Sequence, residues 1–154
     1  MKKILFLGLA LATLTACRKD DDKKDEPKEE QSLLIGTWKR EKIAIVSGGS
    51  NTDLYAEVAD ECTGKSTLDF RVDNNVESHS YAWNQDNTEC QDLGKDTTPY
   101  SYNEETKKMT ITGDEGDQVV DVKTLTSTKL VLEFQMEDLD SDGVADYAQI
   151  EFKK

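Results

Sequence analysis

One histidine in 154 residues, His79, is all the imidazole this chain has, so any Ser-His-Asp or Cys-His machinery would have to run through it. It stands inside "VESHSYAWN", 76 to 84, with no nucleophile signature around it. A phosphate-cradling glycine loop is also missing: "SGGSN" at 47 to 51 lacks the following lysine and helix and reads as a turn. Carboxylates, by contrast, are so abundant that a pair at glycosidase separation could be drawn from almost anywhere and marks nothing. Together these absences predict a non-enzyme. Positive charge is scarce as well, with 19 Lys and Arg against 32 Asp and Glu and a formal net charge of -13. Such a chain repels phosphate backbones, which excludes nucleic acid and favours divalent cations and basic surfaces.

Long apolar runs are wanting too, except for one. Ile4 to Leu14, behind Lys2 and Lys3, is too short for a permanent bilayer span and predicts a secretory signal over 1–16 that is removed from the mature protein. Its end, "LTAC" at 14 to 17, resembles the lipobox of bacterial lipoproteins. That resemblance implies an acylated Cys17 as the mature N-terminus, held on a membrane by acyl chains at about 0.8 kcal/mol per buried methylene. Arg18 in place of Asp implies, under that family's sorting pattern, delivery to the outer membrane. Losing Lys2 and Lys3 with the signal takes the charge from -13 to -15. "RKDDDKKDEPKEEQ" then offers nothing to bury, so 17–32 is expected to be a solvated, self-repelling acidic tether. Its "RKDDD" start resembles the acidic export signals of surface lipoproteins in certain Gram-negative bacteria. Exposure at the cell surface and a spacer facing the periplasm both stay open.

Cysteines number only three. With Cys17 given to lipid, Cys62 and Cys90 are left as an even pair in an oxidising compartment, which predicts a disulfide. Its loop would stabilise the fold by about 3 to 4 kcal/mol in the chain-entropy picture. Neither cysteine has a second cysteine or histidine at metal-ligand spacing.

From 33 to 154 the pattern is period two, broken by Gly, Asn and Asp clusters. Eight strands are expected: "LIGTWKREKIAIV", "STLDFRV", "VESHSYAWN", "PYSYN", "KKMTITG", "QVVDVKTL", "KLVLEFQME" and "YAQIEFKK". The stretch 51 to 62 reads as a short helix or a long loop. Eight short antiparallel strands, each with one apolar face, remove their open edges by closing, so the expected fold is an all-β, eight-stranded up-and-down barrel, with a β-sandwich as the alternative. "IGTWK" at 35 to 39 resembles the glycine-x-tryptophan of the first strand in lipocalins. The order of "GTWK", Cys62, "LDF", Cys90, "YSYNEETKKMTI", "VKTLTSTKLVLEF" and "YAQIEFKK" is similar to the lipocalin-like domain of many bacterial lipoproteins.

A barrel of this size is either filled by its own side chains or holds one small ligand. On "VESHSYAWN" the larger His79, Tyr81 and Trp83 alternate with Ser78, Ser80 and Ala82. With the large set inward, Tyr81 and Trp83 join Trp38, Phe70, Leu132 and Phe134 as either a filled core or the walls of a ligand site.

"DLDSDGVADY", 138 to 147, carries the sharpest chemical pattern. Asp138, Asp140 and Asp142 fall at positions 1, 3 and 5 of a calcium loop, Gly143 takes the sharp turn, Val144 offers its carbonyl and Asp146 follows at position 9. Position 12 is Gln149 and the flanks are strand-like, so this is not an EF-hand. The alternative, a two-residue Asp142-Gly143 hairpin turn, would pair even-numbered with odd-numbered residues. The apolar sets 130, 132, 134, 136 and 148, 150, 152 are all even, so the connection must hold an odd number of residues or a bulge. A loop folded around calcium meets that demand, and so does a bulged turn without it.

The functional expectation is a membrane-anchored lipocalin-like protein that binds a small apolar ligand and is braced by calcium. The alternative is a non-catalytic module with a filled barrel, meeting a protein or glycan partner.

Overall fold

The computed structural model describes residues 29–113 and 116–154. The signal segment, Cys17 and the tether as far as residue 28 lie outside the described residues.

A short helix, α1 (Glu29–Leu34), precedes nine strands: β1 (Gly36–Val46), β2 (Asp53–Val58), β3 (Thr67–Phe70), β4 (Asn75–Trp83), β5 (Cys90–Asn103), β6 (Lys108–Gly113), β7 (Gly116–Leu125), β8 (Lys129–Gln135) and β9 (Tyr147–Lys153). A 3-10 turn, Thr63–Lys65, separates β2 from β3. All pairings are antiparallel and follow chain order from β3 to β9, while β1 pairs with both β3 and β9. Eight strands therefore close into a barrel, as the period-two pattern demands. The ninth, β2, is a hairpin partner of β1 only and lies over the stretch expected as a helix or loop. Its residues are all exposed, so the burial alternation that reveals a strand in sequence is missing there.

The apolar set packs toward one end. Leu34, Trp38, Phe70, Val76, Tyr100, Met109 and Val120 form the buried cluster with Val122, Leu130, Leu132 and Phe152. Burying each large side chain contributes about 1.5–3 kcal/mol. α1 takes up the end of the expected tether and the start of the first expected strand and packs on the fold: Leu34 is buried, and its carbonyl accepts the Trp38 indole N–H at 2.7 Å. Glu30 receives the Tyr102 hydroxyl at 3.0 Å and pairs with Lys107. Gly36, at φ +117°, makes the corner between helix and strand. The far terminus locks the same end, since the Lys154 ammonium donates to Leu33 O (2.7 Å) and Ile35 O (2.9 Å) and stands 4.6 Å over the Trp38 ring.

Cys62 and Cys90 form a disulfide that ties the 3-10 turn to the start of β5.

Candidate functional site

Opposed residues in an antiparallel ladder share a face, so the buried cluster assigns every inward position. Phe70 and Leu68 on β3 pair with Val76 and Ser78 on β4, which places Val76 and Ser78 inside and His79 outside. On β8 and β9 the pairs Leu130 with Phe152, Leu132 with Ile150 and Phe134 with Ala148 point inward together. Above the packed end the strands stop supplying large groups, because Ser78 and Gln118 now take inward positions. A cavity of about 220 Å³ results, walled by Leu68, Ile111, Leu132, Phe134 and Ile150 and reaching Arg40, Ser66, Thr67 and Ser78. The barrel is thus filled at one end and hollow at the other.

Of the six expected wall residues, Leu132 and Phe134 line this cavity. Trp38 and Phe70 are inside but lie in the packed end, almost without exposure. Tyr81 and Trp83 are outside, a correction of the inward placement. Unbroken alternation along β4 leaves the His79 and Tyr81 rings together on the outer face, 4.5 Å apart, and the extra residue of the bulge opposite them lies in β5, between Asp92 and Lys95. Trp83 sends its indole N–H to Asp60 at 2.6 Å. The readable signal was Val76, which shares parity with Ser78 and not with the aromatics.

His79 bonds Asp92 at 2.9 Å, with Gly94 N–H also donating to that carboxylate at 2.8 Å. Those donors, the Gly94 amide first, hold the Asp92 carboxyl below its ordinary range. Burial first, and then the Asp92 charge, push the Tyr81 phenol up. The arrangement holds the imidazole in place, and among the described residues no hydroxyl is bonded to it.

The acidic loop joins β8 to β9. Gln135 pairs with Tyr147 and Phe134 with Ala148, odd with odd and even with even, so residues 136 to 146 between them are odd in number and the two-residue hairpin turn is absent. Asp138 accepts the N–H groups of Ser141 (2.7 Å), Asp142 (3.2 Å) and Gly143 (2.9 Å), and these, Gly143 foremost, hold its carboxyl below the ordinary range. Asp140 accepts from Asp142 N–H. Asp146 is fully buried and accepts from Leu139 N–H (2.7 Å) and Gly48 N–H (3.0 Å). One carboxylate oxygen from each of Asp138, Asp140 and Asp146 lies within 4.8 Å of the others. Asp142 is turned away from this group, accepting from Val144 N–H at 2.8 Å and from the Ser47 hydroxyl at 3.4 Å. Val144 meets the loop through that N–H.

"SGGSN" is the turn its sequence predicts, closed by Ser47 N–H to Thr52 O and Asn51 N–H to Ser47 O, both 2.9 Å, and it is also the seat of this loop. A Cβ on Gly48 would stand 2.0 Å from Ala145 O, and one on Gly49 would stand 2.0 Å from the Asp142 carboxylate. Only glycine permits so close an approach.

A family model described as the lipocalin-like domain matches residues 34–132. Among solved structures the chain is similar to a lipocalin-like protein from Bacteroides uniformis, at 15% identity, with 79% of this chain and 98% of that one covered and a TM-score of 0.48. It is also similar to a bovine odorant binding protein complexed with its natural ligand, at 15% identity, 85% and 77% coverage and a TM-score of 0.42. Aphrodisin, a sex pheromone from female hamster, gives 16% identity, 79% and 74% coverage and a TM-score of 0.40. None of the curated proteins matches.

Proposed function

The chain belongs to the lipocalin-like domain family, and we propose that it is a membrane-anchored, non-catalytic carrier that takes one small, largely apolar ligand into the open end of its barrel. The observation that carries this is the half-empty interior. A chain able to fill one end with Trp38, Phe70, Tyr100 and Met109 places Ser78 and Gln118 where the other end needs bulk, and leaves about 220 Å³ walled by aliphatic and aromatic groups. Interiors are otherwise close-packed. Pockets for drug-sized ligands run to roughly 300–1,000 Å³, so the cargo is small. That hollow speaks against the filled-barrel module.

Acylation of Cys17 supplies the anchor in this proposal, supported by "LTAC" and the tether behind it, and the outer membrane is the location, with surface exposure as the further step. Calcium is proposed as a brace for the loop, supported by three carboxylates that would repel one another uncompensated. Absence of catalysis is supported by the placement of His79 on the outer wall.

The test is titration of the neutral fluorophore N-phenyl-1-naphthylamine into the purified protein, together with mass spectrometry of molecules extracted from it after purification from its own membrane. Saturable binding at one site, with a co-purified small amphiphile or apolar molecule, is expected. Neither signal at micromolar protein would overturn the carrier role.

A further inference from the structure

Arg40 stands where an apolar residue is expected. On β1 it follows the buried Trp38 at an interval of two, and its ladder partner on β9 is Phe152, a member of the buried cluster. Its side chain is half-buried and reaches the cavity, beside Ser78 and Gln118. Its backbone N–H is satisfied by Ser66 O at 3.0 Å. Its guanidinium makes no ion pair and no hydrogen bond among the described residues, in a chain of net charge -13 where carboxylates are in surplus. Arg71, for comparison, takes Asp69 and Glu77. Arg40 also borders two outer hollows, one with Glu57 and one with Glu41, Asp60 and Glu61, and it pairs with none of them: Glu57 accepts the Tyr55 hydroxyl, Glu41 accepts Lys153, and Asp60 accepts Trp83 and Thr63. The neutral polar groups at the cavity cannot neutralise a cation.

Resting on the carrier role, we propose that the ligand is an anionic amphiphile, a carboxylate on a short apolar tail, whose head is received by Arg40 and whose tail lies along Leu68, Leu132, Phe134 and Ile150. A planar guanidinium with free donors matches a carboxylate bidentately. Removal from bulk water strengthens that pairing, and the apolar walls orient the tail away from it. At roughly 30 Å³ for each water-sized group, a 220 Å³ space takes about seven such groups, which fits a medium-length chain. The acidic outer surface would repel an anion at long range, so binding should strengthen as salt screens that repulsion.

The experiment compares three heads on one tail, octanoate, 1-octanol and octylammonium, displacing N-phenyl-1-naphthylamine. The protein is the mature chain from residue 17 with Cys17→Ser, so that its own acyl chains cannot compete. Octanoate should bind at least about tenfold tighter than octanol, with octylammonium weakest. Arg40→Gln should abolish that preference and still bind octanol, and Arg40→Lys should keep part of it. Equal affinities for octanoate and octanol in the unaltered protein would overturn this inference, leaving Arg40 a solvated side chain and the carrier role intact. Failure of all three ligands and of the fluorophore would overturn both. The head-group series needs no variant, so a misfolded Arg40→Gln protein would not rescue the idea.

Discussion

Ser78→Phe is the substitution that asks most directly whether the wide end of this barrel is open space. Ser78 points inward because it pairs with Leu68, borders the cavity, and has a hydroxyl without a hydrogen bond among the described residues. Its replacement therefore forfeits little. A benzyl group placed there enters a space of about 220 Å³, and burial of a Phe side chain stabilises by roughly 1.5–3 kcal/mol. Unfolding entropy of about 2.1 cal/mol/K per residue gives roughly 0.25 kcal/mol/K for a domain near this size. The expected rise in Tm is thus about 6–12 °C, read by calorimetry, with loss of N-phenyl-1-naphthylamine binding in the same sample. A lowered Tm with binding unchanged would refute the reasoning, because it would mean that position 78 is already packed and that the probe sits elsewhere.

Removing the disulfide as Cys62→Ala with Cys90→Ala opens a loop of sequence separation 28. The chain-entropy relation gives a loss of about 3.6 kcal/mol, or roughly 14 °C in Tm, checked by thermal unfolding against the oxidised parent. Leu34→Ala, at the plugged end where the side chain is fully buried, should cost about 2.7–5 kcal/mol by denaturant titration. Calcium should raise the Tm of the parent and not that of Asp140→Ala; no calcium-dependent change in either, with Asp140→Ala as stable as the parent, would return the loop to an acidic bulged turn. Asp60 is held at about 2, below its ordinary 3.8, first by the Thr63 amide and then by the Trp83 indole. A depressed carboxyl stabilises above its unfolded value, so this contribution is present above about pH 4 and is lost as pH falls toward 2. Acid unfolding of Asp60→Asn should show a weaker pH dependence across that window.

Much of this architecture was legible because a strand's side chains alternate with a period of two, whatever the strand pairs with. The even-numbered apolar sets of β8 and β9 were enough to rule out a two-residue turn at Asp142-Gly143, and the ladder pairs even with even. Cysteine arithmetic likewise paired Cys62 with Cys90. What alternation cannot say is which of two faces is inside, and on β4 size was a poor guide. The aromatics 79, 81 and 83 look like a core face, yet the ladder to Phe70 makes Val76 and Ser78 the inner set. Bulges between Arg40 and Lys42 in β1, between Asp92 and Lys95 in β5 and between Val122 and Thr124 in β7 reset the alternation within single strands, and only the second carries a local mark, Gly94 at φ +91°.

The sequence by itself determined the kind of fold, the odd connection before β9 and the disulfide, because each follows from local periodicity or from counting. Only the tertiary structure decided that β2 is a strand, that "SGGSN" seats the acidic loop, that the barrel is packed at one end and open at the other, and that Arg40 borders the cavity. Those depend on which residues closure brings opposite one another, and closure is a property of the whole ring of strands.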